Sequence, residues 1–161
     1  MHDDLINAVL TESMSKDHVT VIQHLSEPKQ DEELANGLKI KETIVRTLLN
    51  DLHAEGLVSY ERSKNKKTGW YTYMWKKRDE KIKGYIIDYL RSKLSDLESE
   101  LDMEKNGSIF ACACSRVSFQ EAFETNFLCP HCNQPFKNLD NSQKIKELEA
   151  EVERISALIE E

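Results

Sequence analysis

Residues 42–75 have the sequence ETIVRTLLNDLHAEGLVSYERSKNKKTGWYTYMW, in which a helical pattern is followed by two short strand patterns. The helical pattern covers residues 42–54, where apolar side chains recur at i, i+3, i+4 and i+7: Val45, Leu48, Leu49 and Leu52. One face of a helix must bury such a stripe, and Gly56 follows it at the position where helices commonly end. We therefore expect an amphipathic helix that ends just before this glycine.

A β-hairpin is predicted after this helix, because residues 57–62 and 70–75 are rich in β-branched and aromatic types and flank a polar turn. Upstream, residues 3–14 carry apolar side chains at helical spacing. Residues 31–33 are all acidic, which suits the first turn of a further helix. Helices followed by a hairpin predict a winged helix-turn-helix domain in residues 1–78, within a chain that is mainly α with small β.

Two heptad patterns lie in the second half of the chain, one in a predicted connector helix (residues 79–104) and one in a predicted C-terminal helix (residues 142–161). They consist of Ile87, Leu90, Leu94, Leu97 and Leu101 in the first helix and Ile145, Leu148, Val152, Ile155 and Ile159 in the second. Heptad spacing requires a partner helix. We expect the two helices to pair antiparallel with residues 105–141 at their tip, since each stripe is short for a stable dimer; pairing between two chains is the alternative.

All four cysteines of the chain lie in residues 105–141, as Cys112-Ala113-Cys114 and Cys129-Pro130-His131-Cys132. In a reducing cytoplasm such clustering favours a metal over disulfides. Four thiolates close a tetrahedral zinc site and leave no position for water or substrate. We therefore predict a zinc ribbon with one structural Zn²⁺ ion, held by Cys112, Cys114, Cys129 and Cys132. The alternative is four buried, metal-free thiols.

The predicted ribbon has few apolar residues, so we expect it to need the metal in order to fold. Its expected core consists of Ile109, Phe110, Val117, Phe119, Phe123, Phe127 and Phe136.

Cations and aromatic residues adjoin each other in the predicted hairpin. They are Arg62, Lys64, Lys66 and Lys67, followed by Trp70, Tyr71, Tyr73 and Trp75. Aromatic faces beside cations suit stacking on unpaired bases or anchoring in a protein interface. Neighbours along a strand point to opposite faces, so some of the aromatic residues belong to the core. We expect at least one to be exposed and functional.

The net charge of −7 arises in the second half of the chain. Residues 1–78 contain 12 Lys/Arg and 12 Asp/Glu, whereas residues 79–161 contain 10 Lys/Arg and 17 Asp/Glu. An acidic half repels phosphate and is a poor duplex-binding surface. The helix before the hairpin carries Glu42 and Asp51 against Arg46, which argues against sequence-specific reading of a duplex.

Neither a membrane segment nor a catalytic motif is found. No apolar run reaches the length of about 18 residues that a bilayer needs, and the first residues lack the features of a secretory signal. We therefore expect a cytoplasmic protein with no membrane partner. No nucleophile motif or glycine-rich phosphate loop is present, and the five histidines show no pairing pattern. We predict no catalytic residues and conclude that the chain is not an enzyme.

Several segments together resemble one known family. In the front half they are Asp31-Glu32-Glu33-Leu34-Ala35, Val45-Arg46, Leu48, Leu52, Gly56-Leu57, Tyr60 and the more specific Thr68-Gly69-Trp70-Tyr71-Thr72-Tyr73-Met74-Trp75. In the ribbon they are Phe119-Gln120-Glu121-Ala122 and Asn126-Phe127-Leu128-Cys129-Pro130-His131-Cys132. The chain resembles archaeal transcription factor E, the counterpart of the alpha subunit of eukaryotic general factor IIE, over nearly its whole length. One departure is Cys112-Ala113-Cys114, where the family usually has two residues between the cysteines.

The resemblance implies a general transcription initiation factor that binds RNA polymerase in the preinitiation complex and promotes or stabilises promoter opening. The implied partners are the polymerase clamp and stalk, the TATA-binding protein and the non-template strand of the open bubble, with a beta subunit as a further candidate. Contact with polymerase and the strand is implied for Arg62, Lys64, Lys66, Lys67, Trp70, Tyr71 and Tyr73. The alternative is a winged-helix DNA-binding repressor, in one variant sensing metal through its thiolates.

Overall fold

The computed structural model describes residues 3–160, which are mainly helical with two small β-sheets. Residues 1, 2 and 161, which fall within the predicted winged helix and the predicted last helix, lie outside this part. The elements are α1 (Asp3–Ser13), α2 (Lys16–His24), α3 (Asp31–Leu38), α4 (Glu42–Ala54), β1 (Val58–Lys64), β2 (Tyr71–Lys77), α5 (Asp79–Asn106), β3 (Ile109–Ala111), β4 (Arg116–Ser118), α6 (Phe119–Glu124), β5 (Lys137–Asn138) and α7 (Ser142–Glu160).

The chain forms two compact units, of which the first ends at Tyr89 and the second begins at Leu90, within the continuous helix α5. The finer division predicted at residues 78, 104 and 141 stays a prediction.

The first unit contains α1 to α4, the hairpin and the first turns of α5. The apolar stripe predicted for α4 is buried as a whole: Val45, Leu48, Leu49 and Leu52. Short helices need defined ends, and here α3 begins where the backbone N–H of Gln30 donates to the Glu33 carboxylate at 2.8 Å. Helix α4 ends at Gly56, whose φ of +74° is a conformation that glycine adopts without strain.

Strands β1 and β2 pair antiparallel, with Val58 opposite Lys77 and Lys64 opposite Tyr71. The hairpin is joined to the segment before α3, where Lys29 and Trp75 exchange backbone hydrogen bonds of 2.9 and 2.8 Å. Helices α2, α3 and α4, with a hairpin bound to the segment between α2 and α3, confirm the predicted winged helix-turn-helix. Each strand begins one residue later and ends two residues later than its sequence pattern predicted.

The second unit contains the rest of α5, a three-stranded sheet with the order β4-β3-β5, and helices α6 and α7. Its ribbon core is small, consisting of Ala122, Cys129 and Phe136 with partly buried Phe110, Val117 and Phe127 packed against them. Phe119 and Phe123 were expected in this core but are exposed, at 54% and 64%. They lie on α6, a helix of six residues that buries only Ala122.

Helix α7 buries Leu148 and Ile155, two members of its predicted heptad stripe. Ion pairs join it to the last turns of α5, between Lys144 and Glu100 and between Lys105 and Glu149, each at 2.6 Å. Whether the same stripes also pair two chains stays a prediction. None of the helices in residues 3–160 contains a segment that meets the length and hydropathy required for crossing a membrane.

Candidate functional site

The four cysteine side chains converge on one point of the ribbon. The Sγ atoms of all four lie within 4.8 Å of one another. Three of the separations are 3.6 Å for Cys112–Cys114, 3.5 Å for Cys114–Cys129 and 3.6 Å for Cys112–Cys132. A tetrahedral tetrathiolate with metal–sulfur bonds of about 2.3 Å has sulfur–sulfur edges of about 3.8 Å. The cluster therefore has the size and donor set that a tetrahedral metal ion requires.

Two tight turns bring the thiols together. In the second, the N–H of Asn133 donates to the Cys129 carbonyl at 2.9 Å, and Asn133 has a φ of +55°. In the first, the N–H of Cys112 donates to the Ser115 carbonyl at 3.1 Å. This turn directs both thiols to the same side although only one residue separates them. The short spacing of the first pair is therefore compatible with a four-cysteine site.

The thiols influence one another's ionisation strongly. The backbone N–H of Cys132, followed by the Ser115 hydroxyl, lowers the pKa of Cys129 to about 5. The neighbouring thiols of Cys132 and Cys129 raise the pKa of Cys114 to about 12. Negative charge on all four sulfurs therefore requires a cation among them. His131 lies between the last two cysteines but is exposed and does not belong to the cluster.

The wing hairpin carries two different faces. Its register places Tyr60 opposite Trp75, Arg62 opposite Tyr73 and Lys64 opposite Tyr71. These six residues share one face, which we call the wing strip. Within it, the Arg62 guanidinium lies 4.4 Å and the Lys64 ammonium 5.7 Å from the centre of the Tyr71 ring.

Exposure increases along the hairpin towards its tip. Trp75 is 5% exposed, Tyr71 is 47% exposed and Trp70 is 78% exposed. The tip itself is an ordered turn, in which the Asn65 side chain accepts from the N–H groups of Lys67 and Thr68 at 2.9 and 3.3 Å. One aromatic residue is thus core, and another is presented to solvent beside the exposed lysines at positions 66 and 67.

The charged side chains on the polar face of α4 form ion pairs and hydrogen bonds within the protein. Arg46 donates to the Asp31 carboxylate at 2.6 Å and also contacts Glu42, while His18 lies 3.1 Å from the Asp51 carboxylate. A helix that reads a major groove presents its cations to DNA. The only cation on the exposed face of α4 in the described part of the chain is instead held by two carboxylates. The sequence did not indicate the Asp31–Arg46 pair, whose partners are 15 residues apart.

Ser15, His18 and Asp51 come together in a way that the sequence did not indicate. The Ser15 hydroxyl lies 2.7 Å from His18 Nδ1, and His18 Nε2 lies 3.1 Å from Asp51. However, Ser15 is the N-cap of α2, and its oxygen accepts the backbone N–H of His18 at 3.4 Å. Helix capping accounts for the contacts of Ser15, and the His18–Asp51 pair joins α2 to α4.

A small cleft separates α4 from the wing strip and was likewise missed at the sequence level. It is lined by Asp31, Arg46, Asn50, Tyr60, Tyr73 and Trp75 and has a volume of about 290 Å³.

Comparisons with known proteins give consistent results. The family model described as TFIIE alpha subunit matches residues 4–106. Transcription factor E of Metallosphaera sedula is 34% identical over 94% of this chain and 93% of its own length. Transcription factor E of Saccharolobus solfataricus is 37% identical over 80% of this chain and 77% of its own length. These findings confirm the resemblance drawn from the residues.

One solved structure supports the fold alone. It is a possible transcriptional regulator from Methanosarcina mazei Go1, with 21% identity and a TM-score of 0.53, covering 62% of this chain and 85% of its own.

Proposed function

Because this chain belongs to the TFIIE alpha subunit family, we propose that it is a general transcription initiation factor that binds RNA polymerase in the preinitiation complex and promotes or stabilises promoter opening. Its partners in this proposal are the polymerase clamp and stalk, the TATA-binding protein and the non-template strand of the open bubble. A beta subunit is a further candidate partner of the same complex.

The observation that carries the proposal is the contrast between the wing and α4. The wing presents Trp70, which is 78% exposed, beside cations that have no ion pair within residues 3–160. Helix α4 presents Arg46 only in combination with Asp31 and Glu42. Exposed aromatic rings with cations favour unpaired bases or a protein surface over the edges of paired bases. This arrangement favours an initiation factor over a repressor that reads a duplex.

We assign the metal of the ribbon as one structural zinc ion, held by Cys112, Cys114, Cys129 and Cys132. Four thiolates at tetrahedral spacing suit zinc and leave no open coordination position. Bound there, the ion would neutralise thiolate charge and join the two tight turns of the ribbon. Since Cys129 also belongs to the small apolar core, loss of the ion would disrupt the whole ribbon.

A second polymerase contact is proposed for the ribbon. The rings of Phe119 and Phe123 stack on each other with centroids 6.2 Å apart, and both are exposed. Large apolar side chains that are exposed together commonly mark a protein interface. The second unit contains 8 Lys/Arg and 14 Asp/Glu from residue 90 onward, so its partner is expected to be a protein surface and not nucleic acid.

The mechanism that follows is differential binding. A factor shifts an equilibrium only by its preference for one of the two states. We propose that the wing contacts a surface or strand that is accessible only when the bubble and clamp are open. A preference of about 1.4 kcal/mol for the open complex would raise the ratio of open to closed promoter about tenfold.

Permanganate footprinting of a weak promoter tests the proposal, because permanganate oxidises unpaired thymines. We expect the purified protein to raise thymine reactivity in the bubble several-fold, and Trp70→Ala to remove most of this increase. Met74→Ala, on the face of the hairpin opposite the wing strip, is the control and should retain it. Unchanged melting with the wild-type protein would refute the proposed function.

A further inference from the structure

The two faces of the wing hairpin differ in chemistry. The wing strip contains four aromatic rings and two cations, whereas the opposite face carries Ser59, Glu61, Ser63, Thr72, Met74 and Lys76. On that opposite face, Glu61 and Lys76 form an ion pair of 2.9 Å. On the strip, the Tyr60 ring lies 5.2 Å from Tyr73 and 4.9 Å from Trp75. Aromatic rings interleaved with cations are typical of surfaces that bind single nucleic-acid strands.

The inner end of the wing strip opens into the cleft against α4, which we call the wing cleft. His53 of α4 packs on the strip, with its ring 5.2 Å from Tyr60 and 6.0 Å from Trp75. Asn50 and Arg46 lie one and two turns before His53 on the same helix and form the other wall. The cleft therefore combines aromatic rings on one side with an amide and a guanidinium on the other.

Asn50 provides the accessible hydrogen-bonding groups of the wing cleft. The Nε1–H of Trp75 also has no acceptor within residues 3–160, but it is fully buried and is not accessible to a ligand in this structure. The side chain of Asn50 is exposed and provides both a donor and an acceptor. The volume of about 290 Å³ is small for a ligand site and suits a single planar group.

We propose that the wing cleft binds one unpaired nucleobase of a single nucleic-acid strand. The base packs face-on against one of the Tyr60 and Tyr73 rings and edge-on against the other, because the two ring planes lie at 69° to each other. Its polar edge bonds to Asn50, as asparagine does with the edges of bases. The neighbouring nucleotides lie along the wing strip, with their phosphates near Arg62 and Lys64. The inference rests on the proposed function, because the strand concerned is the one that becomes unpaired when a promoter opens.

The charges around the wing cleft favour a strand over a free nucleotide. Arg46, the only cation in the lining, is held by Asp31 at 2.6 Å and by Glu42. A free nucleotide would therefore place its phosphate near the Asp31 carboxylate and a guanidinium that is already paired. A base that belongs to a strand has its phosphates outside the cleft, where the cations of the strip lie. The cleft itself thus contributes stacking and hydrogen bonding, and the strip contributes charge.

The test uses the full chain and a short single-stranded DNA that carries a fluorescent 2-aminopurine base, which is quenched when it stacks. We expect quenching on titration, and binding of this strand about three- to tenfold weaker for Asn50→Ala, as for the loss of one hydrogen bond. Asn50→Asp keeps the shape of the side chain, loses the amide donors and should weaken binding at least as much. Thr47→Ala, on the same helix outside the cleft lining, is the matched control and should stay within about twofold.

A second arm replaces each nucleotide of the strand in turn by an abasic residue. The replacement that removes the base from the cleft should weaken wild-type binding about fivefold or more. On that abasic strand, Asn50→Ala should have no further effect, because both changes remove the same contact. Equal losses from Asn50→Ala on intact and abasic strands would overturn the proposal.

The possible outcomes distinguish a failure of the base-binding proposal from a failure of the proposed function. If Trp70→Ala weakens strand binding and Asn50→Ala binds the strand like Thr47→Ala, base binding in the wing cleft is refuted. Strand contact by the wing is then retained. If Asn50→Ala weakens binding to polymerase and leaves strand binding intact, the cleft takes a protein segment and the proposal fails. Binding of free adenosine monophosphate that is independent of Arg62 and Lys64 would also overturn it. If the protein does not increase the permanganate reactivity of the promoter, the proposed function is refuted, but binding of an isolated strand in the wing cleft is not.

Discussion

Among the four predicted zinc ligands, Cys114 is the one whose replacement tests the metal site most directly. It is the exposed member of the four, and it reaches the cluster through a one-residue spacing from Cys112. Its Sγ nevertheless lies 3.6 Å from Cys112 and 3.5 Å from Cys129. Without the Cys114 thiolate, the site would have one ligand fewer than a tetrahedral zinc ion requires and one negative charge fewer to balance the ion.

Cys114→Ser should therefore lower zinc affinity more than about 100-fold, since even the loss of an outer partner of a metal ligand costs about 10- to 100-fold. Competition with a chromogenic chelator measures the affinity. Both tryptophans, Trp70 and Trp75, belong to the first unit, so tryptophan fluorescence provides an internal control that should not change. His131→Ala should bind zinc like the wild type; an equal loss in that variant would contradict the four-cysteine assignment.

At the residue scale, the sequence identified the cysteines of the metal site but did not predict which phenylalanines are exposed. Cysteine spacing predicted the cluster, because few alternatives explain four thiols in one short segment. Phe119 and Phe123 were assigned to the core on hydrophobicity alone, yet they are exposed. A helix as short as α6 has room to bury one residue, Ala122, and that limit comes from packing and not from composition. The Asp31–Arg46 pair depends in the same way on how α3 meets α4.

At the scale of elements, Glu104 joins three parts of the second unit. It lies in the last turns of α5 and is 8% exposed. Its carboxylate accepts from Arg116 of β4 at 3.1 and 3.2 Å and from Asn141, just before α7, at 2.6 Å. Lys144 of α7 adds an ion pair of 3.0 Å. A buried carboxylate is tolerated only with such partners, so this residue fixes where α5, the ribbon and α7 meet.

The ionisation of Glu104 makes this junction sensitive to acid. Burial raises the pKa of Glu104, but the bonds from Asn141 and Lys144 and the charge of Arg116 outweigh it, so that the pKa lies below its ordinary value of 4.5. A carboxyl whose pKa is lowered by folding stabilises the folded state above the ordinary value. That contribution is lost as the pH falls through the lowered pKa. The second unit should therefore lose stability below pH 4.5.

Glu104→Gln keeps the shape of the side chain and removes its charge. At neutral pH it should destabilise the second unit by about 2 kcal/mol, as for hydrogen bonds to a charged group. Hydrogen exchange of amides after residue 90 measures this, compared with wild type at the same pH. The difference between the two proteins should shrink as the pH falls below 4.5. Glu98→Gln, on an exposed position of α5, is the control; a difference that persists unchanged in acid would contradict the assignment.

Elements with a strong periodic pattern were predicted closely, and their ends less so. Helix α4 spans Glu42–Ala54, as the apolar stripe and Gly56 predicted. Helix α5 continues to Asn106, two residues beyond its predicted end. Of the stripe predicted on this helix only Leu90 is buried, whereas Ile82 and Ile86, which lie outside the stripe, are buried as well. Heptad periodicity also does not specify the residue at which a polar helix stops. The wing cleft could not be predicted, because it exists only where the hairpin lies against α4.

At the scale of the whole molecule, charge is segregated along the chain. Residues 1–78 carry equal numbers of acidic and basic groups, and the net charge of −7 belongs to residues 79–161. Four cations lie near the tip of the hairpin, and all of them are exposed: Arg62, Lys64, Lys66 and Lys67. The other two cations of the hairpin, Lys76 and Lys77, are paired with Glu61 and Asp79. A strand therefore finds a cluster of exposed cations at the tip of the wing, while the acidic second half of the chain repels it.

The salt dependence of strand binding tests this distribution. Each phosphate neutralised on a single strand contributes about −0.7 to the slope of log affinity against log salt concentration, so the four wing cations predict a slope no steeper than about −3. Replacing both Lys66 and Lys67 by alanine should reduce the magnitude of the slope by about 1.4 and weaken binding at low salt. Lys146→Ala, on α7 in the acidic unit, should leave the slope unchanged, because no phosphate comes near it. Anisotropy titrations of labelled single-stranded DNA at several salt concentrations measure all three slopes. If Lys146→Ala reduced the slope as much as the wing substitutions, the strand would also contact the second unit, and the assignment of nucleic-acid contact to the wing alone would be wrong.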